Sequence, residues 1–89
     1  MLVITDEARD AIRAIIEDSE IGPAGGLRIF SSDDAFEFEL AAEPGEGDGV
    51  IREGGVVVFL DSAAAELLAD KILDAHSHGD HVHFSLDAQ

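Results

Sequence analysis

Lys71-Ile72-Leu73-Asp74-Ala75-His76-Ser77-His78-Gly79-Asp80-His81-Val82-His83-Phe84-Ser85-Leu86-Asp87 is the stretch around which the chain is organised. It contains all four histidines and the clearest two-residue alternation. Gly79-Asp80 suits a two-residue hairpin loop, because Gly accepts the positive φ such turns need and Asp tolerates it. With that loop, His78 faces His81, Ser77 faces Val82, His76 faces His83, Ala75 faces Phe84 and Leu73 faces Leu86. Side chains alternate across a strand. One face of the ribbon therefore carries Leu73, Ala75, Val82, Phe84 and Leu86. The other carries His76, His78, His81 and His83, flanked by Asp74 and Ser85. The apolar face needs cover from the rest of the chain, and the histidine face is the one cluster with evident chemistry.

Composition bounds the remainder. Residues 1–89 suit a single domain, and a 46% hydrophobic fraction marks a globular chain rather than a disordered one. The formal net charge of −15, with only 5 Lys and Arg, argues against nucleic acid and against anionic lipid. It favours basic protein partners or cations, and it suits a salt-rich interior equally well. Cysteine is absent, which excludes disulfides, thiolate metal sites and cysteine nucleophiles. The opening Met1 to Glu7 lacks the basic start and apolar run of a signal peptide. No apolar segment approaches the roughly 20 residues needed to span a bilayer. A cytoplasmic location is the expectation.

The order along the chain predicts helix, several strands, a short helix and the hairpin. Leu2 to Ile4 reads as a short strand. Thr5 or Asp6 can cap a helix whose Ala8, Ala11, Ile12, Ile15 and Ile16 share one face, with an Arg13–Glu17 surface pair. That helix should fail by Gly22-Pro23. Leu27 to Phe30 is a strand, Ser31 to Asp34 a polar break, and Phe36, Phe38 and Leu40 the dry side of a half-wet strand. Glu43 to Gly49 reads as a mobile turn. Val50 to Glu53 and Val56 to Leu60 are strands joined at Gly54-Gly55, the second buried on both faces. Asp61 or Ser62 caps a short helix, Ala63 to about Ala69, with Ala64, Leu67 and Leu68 inward. Short turns between strands favour an α+β arrangement, a mostly antiparallel or mixed sheet with helices on its faces.

Cross-paired histidines on adjacent strands can present imidazoles to a divalent transition metal, with Asp74 or Asp80 adding oxygen. The plainer reading is a solvated edge hairpin whose histidines are merely polar, or one that responds to pH near 6. The acidic turn at 43–49 lacks the spacing of a calcium loop. Gly45-x-Gly47-x-Gly49 lacks the strand–turn–helix context and the lysine of a phosphate cradle. Ser31, Ser32, Ser62, Ser77 and Ser85 lie in no nucleophile elbow, so hydrolytic catalysis is not expected.

Several phrases, in this order, resemble the A-type iron–sulfur carrier domain, the HesB/IscA-like (Fe–S biogenesis) family. They are Ile4-Thr5-Asp6-Glu7-Ala8, Gly26-Leu27-Arg28-Ile29, Phe38-Glu39-Leu40 with Glu43-Pro44, Gly55-Val56-Val57-Val58-Phe59-Leu60-Asp61, Leu73-Asp74 and His83-Phe84-Ser85. The resemblance spans Leu2 to Leu86 and implies that β-rich α+β fold, with an N-terminal helix, a short second helix and a C-terminal hairpin. It also implies a non-enzymatic role in iron–sulfur cluster assembly or iron handling. The family's ligands are three cysteines, one after the strand like Leu27–Phe30 and a Cys-Gly-Cys near the C-terminal tail. Here the first position falls in Ser31 to Asp34, with a shortened loop, and the sequence stops at Gln89 before the tail position. The expectation is a cysteine-less, divergent member unable to hold an Fe–S cluster through thiolate. The alternatives to that assembly or iron-handling role are a protein-interaction or regulatory module on the same scaffold, or a divalent metal binder through His76, His78, His81 and His83.

Overall fold

The computed structural model describes residues 2–21, 25–33, 35–79 and 81–89. The strand and helix order is β1 (Val3–Ile4), α1 (Asp6–Asp18), β2 (Gly26–Ser32), β3 (Ala35–Ala41), β4 (Gly49–Glu53), β5 (Val56–Leu60), α2 (Ser62–Leu67), β6 (Lys71–His78) and β7 (His81–Ala88). These strands form two sheets rather than one: a three-stranded sheet ordered β1-β6-β7 and a four-stranded sheet ordered β3-β2-β5-β4. Both are mixed, because β1 runs parallel to β6 and β2 parallel to β5.

Local chemistry explains each boundary. Thr5 is the α1 cap, its hydroxyl accepting from the Ala8 N–H at 3.1 Å. Asp6 and Glu7 follow where the helix dipole favours negative charge. The helix ends before Gly22-Pro23, at Ser19, whose hydroxyl donates to the Ile16 carbonyl at 2.8 Å. Gly22, Pro23 and Ala24 lie outside the described residues. Arg13 does not pair with Glu17. It reaches Asp10 at 3.3 Å and donates to the Gly54 carbonyl at 2.6 Å, while Arg9 pairs with Asp6 and with Glu53. The Gly54-Gly55 reversal, with φ of 59° and 85°, is thereby tied to α1.

The core lies where both sheets meet the helices: Ile4, Ala8 and Ile12 against Leu27, Ile29, Val56, Val58, Leu60, Ala64, Leu68, Leu73 and Ala75. A stacked Phe38–Phe84 pair, centroids 5.6 Å apart, joins β3 to β7. In α2, Asp61 is the cap, accepting from the Ala64 N–H at 2.7 Å. Leu67 does not face the core as its spacing suggested; it is 58% exposed, because α2 stops within two turns and buries only the Ala64 and Leu68 side.

The turn at 43–49 also differs from expectation. Ala41 pairs with Gly26 at the start of β2, whereas Gly49 pairs with Leu60 at the end of β5. β3 and β4 are opposite edges of the sheet, so the connection crosses from one end and edge to the other. It is pinned on the way. Asp48 accepts from Arg28 Nε at 2.8 Å, from Arg28 Nη2 at 3.2 Å and from the Gly45 N–H at 2.8 Å. The Asp48 side chain is 1% exposed. Phe59, the partner of Arg28 in the ladder, is buried on that same face.

Candidate functional site

The terminal hairpin has the register its alternation implies: His78↔His81, Ser77↔Val82, His76↔His83, Ala75↔Phe84 and Leu73↔Leu86. Gly79 has φ of 61°, and Asp80 lies outside the described residues. The apolar face is buried at its root and opens toward its tip. Leu73 and Ala75 are buried, Phe84 and Leu86 half-buried, and Val82 is 37% exposed. The ribbon reaches beyond the core that covers its root.

His76, His78, His81 and His83 share the opposite face and are all exposed. Their side chains diverge into two groupings. His78 and His83, a diagonal pair, meet edge to face with centroids 6.2 Å apart. His76 leans instead toward Asp74, Nε2 to Oδ2 3.7 Å. Asp74 is the link to the rest of the fold. Its Oδ1 accepts from the Thr5 hydroxyl at 2.8 Å and from the Ala75 N–H at 2.9 Å. The Thr5 bond, the backbone N–H and the nearby His76 together hold its carboxyl below the usual carboxylate range. Among the described residues, no group of three or more His, Asp or Glu side chains converges as a metal ion requires. Asp80, the other oxygen considered, is outside them.

The position that the carrier resemblance assigns to a cysteine is closed differently. Ser31 and Ser32 are not a polar break but the last rungs of β2, paired with Phe36 and Ala35. Asp33 follows with φ of 46°, and Asp34 lies outside the described residues. The Ser31 N–H donates to Asp61 Oδ2 at 3.2 Å, so the α2 cap also clamps this strand end. Hydroxyls and carboxylates in a tight reversal do not supply the soft thiolates that hold an iron–sulfur cluster, and the donor set does not fit one.

The residue pair that sequence reasoning missed is Arg28–Asp48. The signal was present. Arg28 is a lone cation on a strand face whose β3 neighbours are Glu37 and Glu39, and it lies against the Phe30 ring at 5.1 Å. Its hydrogen bond to Asp48 raises the Arg28 pKa and depresses that of Asp48.

This arrangement of two mixed sheets and two helices is the fold of SufA and IscA. The structure of Escherichia coli SufA, involved in biosynthesis of iron–sulfur clusters, matches with a TM-score of 0.81 at 19% identity, covering 98% of this chain and 84% of that one. IscA with its [2Fe-2S] cluster matches with a TM-score of 0.67 at 19% identity, covering 99% and 85%. No family model matches the sequence. The uncharacterized protein blr1755 of Bradyrhizobium diazoefficiens is 38% identical over 79 residues, covering 83% of this chain and 74% of its own length. The uncharacterized protein y4vC of Sinorhizobium fredii is 33% identical over 92 residues, covering 98% and 86%. The chain belongs to the family of these two rhizobial proteins. No helix among the described residues is long and apolar enough to cross a membrane.

Proposed function

We propose that this chain is a non-enzymatic, cysteine-less relative of the A-type carriers. It acts near iron–sulfur cluster assembly or iron handling by contacting another protein, rather than by carrying a cluster on thiolates. The observation that carries the reading is the β2–β3 reversal. The scaffold is that of SufA and IscA, yet the residues at the carrier's cysteine position form ladder rungs and an Asp61 clamp. The acidic surface, net charge −15, matches a basic partner. Two measurements test it. Anaerobic reconstitution with iron and sulfide, followed by desalting, should leave no visible absorbance on the protein; a retained stoichiometric cluster overturns the non-carrier reading. Deleting the gene should lower the activities of iron–sulfur enzymes at unchanged protein levels, and unchanged activities remove the assembly role.

A second reading has one observation in its favour, the 6.2 Å approach of the His78 and His83 rings. Two neutral imidazoles at that separation can share a divalent transition metal whose remaining positions are filled by water. The diagonal pair is the better candidate, since His76 leans toward Asp74. Calorimetric titration of tag-free protein with Zn²⁺ or Ni²⁺ should show heat that His78→Ala or His83→Ala removes and acidification weakens. Absence of heat in the unaltered protein ends this reading.

A further inference from the structure

β6 has an open edge beside α1. β1 pairs with it only through Val3↔Ile72 and Ile4↔Leu73, and the Thr5 N–H then donates to the Leu73 carbonyl at 3.0 Å before the chain turns into the helix. Backbone groups of alternate strand residues point the same way. Ala75 and Ser77 therefore aim theirs as Leu73 does, toward the side that β1 has left. The Ala75 N–H is taken by Asp74 Oδ1 at 2.9 Å. The Ala75 carbonyl and both backbone groups of Ser77 remain at the edge. They border a groove of roughly 590 Å³ between α1 and the hairpin, with Val82 at its far side. Its helical wall presents Ala11 and Ala14, whose small side chains leave room for a backbone, and Glu7 and Asp10. Glu7 has no hydrogen-bond or ion-pair partner among the described residues, while Asp10 is held by Arg13 at 3.3 Å. Among the described residues no Lys or Arg lines the groove, and its hairpin side also carries His76 and His78.

We propose that this edge receives an extended, lysine- or arginine-bearing segment of a partner protein as an added strand of the β1-β6-β7 sheet. The inference deepens the protein-contact reading above and names the surface. Backbone bonds to Ala75 and Ser77 set the register. Glu7, whose carboxylate is unpartnered among the described residues while Asp10 is shared with Arg13, selects a cationic side chain on the face toward α1. A second copy of the chain is the disfavoured occupant, because each copy carries a net charge of −15.

The test uses the full chain, ¹⁵N-labelled, and a peptide of alternating valine and lysine about ten residues long. Binding should shift amides at 7–14 and 75–78 and slow hydrogen exchange at Ser77. N-methylating alternate peptide amides keeps the charge and should weaken binding at least about tenfold. Ser77→Pro removes an N–H from the open edge and none from the β7 ladder. It should cause a similar loss with the circular dichroism spectrum preserved; Glu7→Gln should cause a smaller one with the fold untouched. Four results overturn the proposal: equal binding of the N-methylated peptide, shifts spread over the acidic surface or along β7, equal binding of a valine–glutamate peptide, or no binding. Cluster reconstitution reads nothing at this edge, so either reading can fail alone.

Discussion

The crossing segment at 43–48 and the outer end of the terminal hairpin are both polar, glycine-bearing connections, but they are held by opposite means. The first lies across the four-stranded sheet and is pinned by one half-buried charge pair, Arg28–Asp48. The second projects past the core and is held by its ladder and by apolar side chains at its root. A surface segment's order therefore follows from what its side chains reach, not from its composition. The first is anchored at Asp48, through Arg28 and the Gly45 N–H, whereas burial in the second declines gradually from root to tip.

Cutting each anchor tests this contrast. Leu73→Ala removes a fully buried side chain at the hairpin root and should cost about 3 kcal/mol by urea denaturation. Less than about 1 kcal/mol would mean that the root collapses around the gap. Arg28→Ala strands the buried Asp48 carboxylate and should cost about 2 kcal/mol. It should also open Glu43–Gly47 to a glutamate-specific protease under conditions where the unaltered chain resists. Equal cleavage of both proteins would show that the pair does not hold the segment.

The same pair sets a pH dependence. Arg28 first, then the Gly45 N–H, depress the Asp48 pKa in the folded state. The resulting stabilisation is therefore present above the ordinary carboxylate value, about 3.9, and is lost as pH falls through the lower folded value. Unaltered protein should lose more stability over that acid window than Asp48→Asn, in urea midpoints measured from neutral pH downward. Parallel curves would remove the linkage. The smallest effect belongs to the tip, where Val82→Ala should change stability by no more than about 0.5 kcal/mol, because its side chain already meets water. A larger loss would mean that the tip is packed.

What was legible in the sequence was local. The hairpin register followed from Gly79 and strict alternation, the β4–β5 reversal from Gly54-Gly55, and both helix caps from Thr5 and Asp61. Order and phrase together pointed to the SufA and IscA fold, which the structure shares. What was not legible depends on partners far along the chain. Two parallel pairings, β1 with β6 and β2 with β5, assemble the two sheets, and no local signal encodes them. Asp48 is locally one acid in a glycine-rich turn, and its partner Arg28 lies 20 positions away within a strand. The four histidines shared a face as alternation required, but rotamers decide which rings meet, and the ladder does not set rotamers.

The parallel pairing of β1 with β6, sealed by the Thr5–Asp74 bond across 69 positions, bears on how the chain matures during synthesis. The first strand leaves the ribosome early and waits for its neighbour until translation has passed Leu73. Until then Val3 and Ile4 have no sheet to join, and α1 lacks the β6 surface that its Ala8 and Ile12 cover. Vectorial folding should therefore close the N-terminal strand late, after the pairings of the four-stranded sheet, whose strands lie between β1 and β6 in the chain.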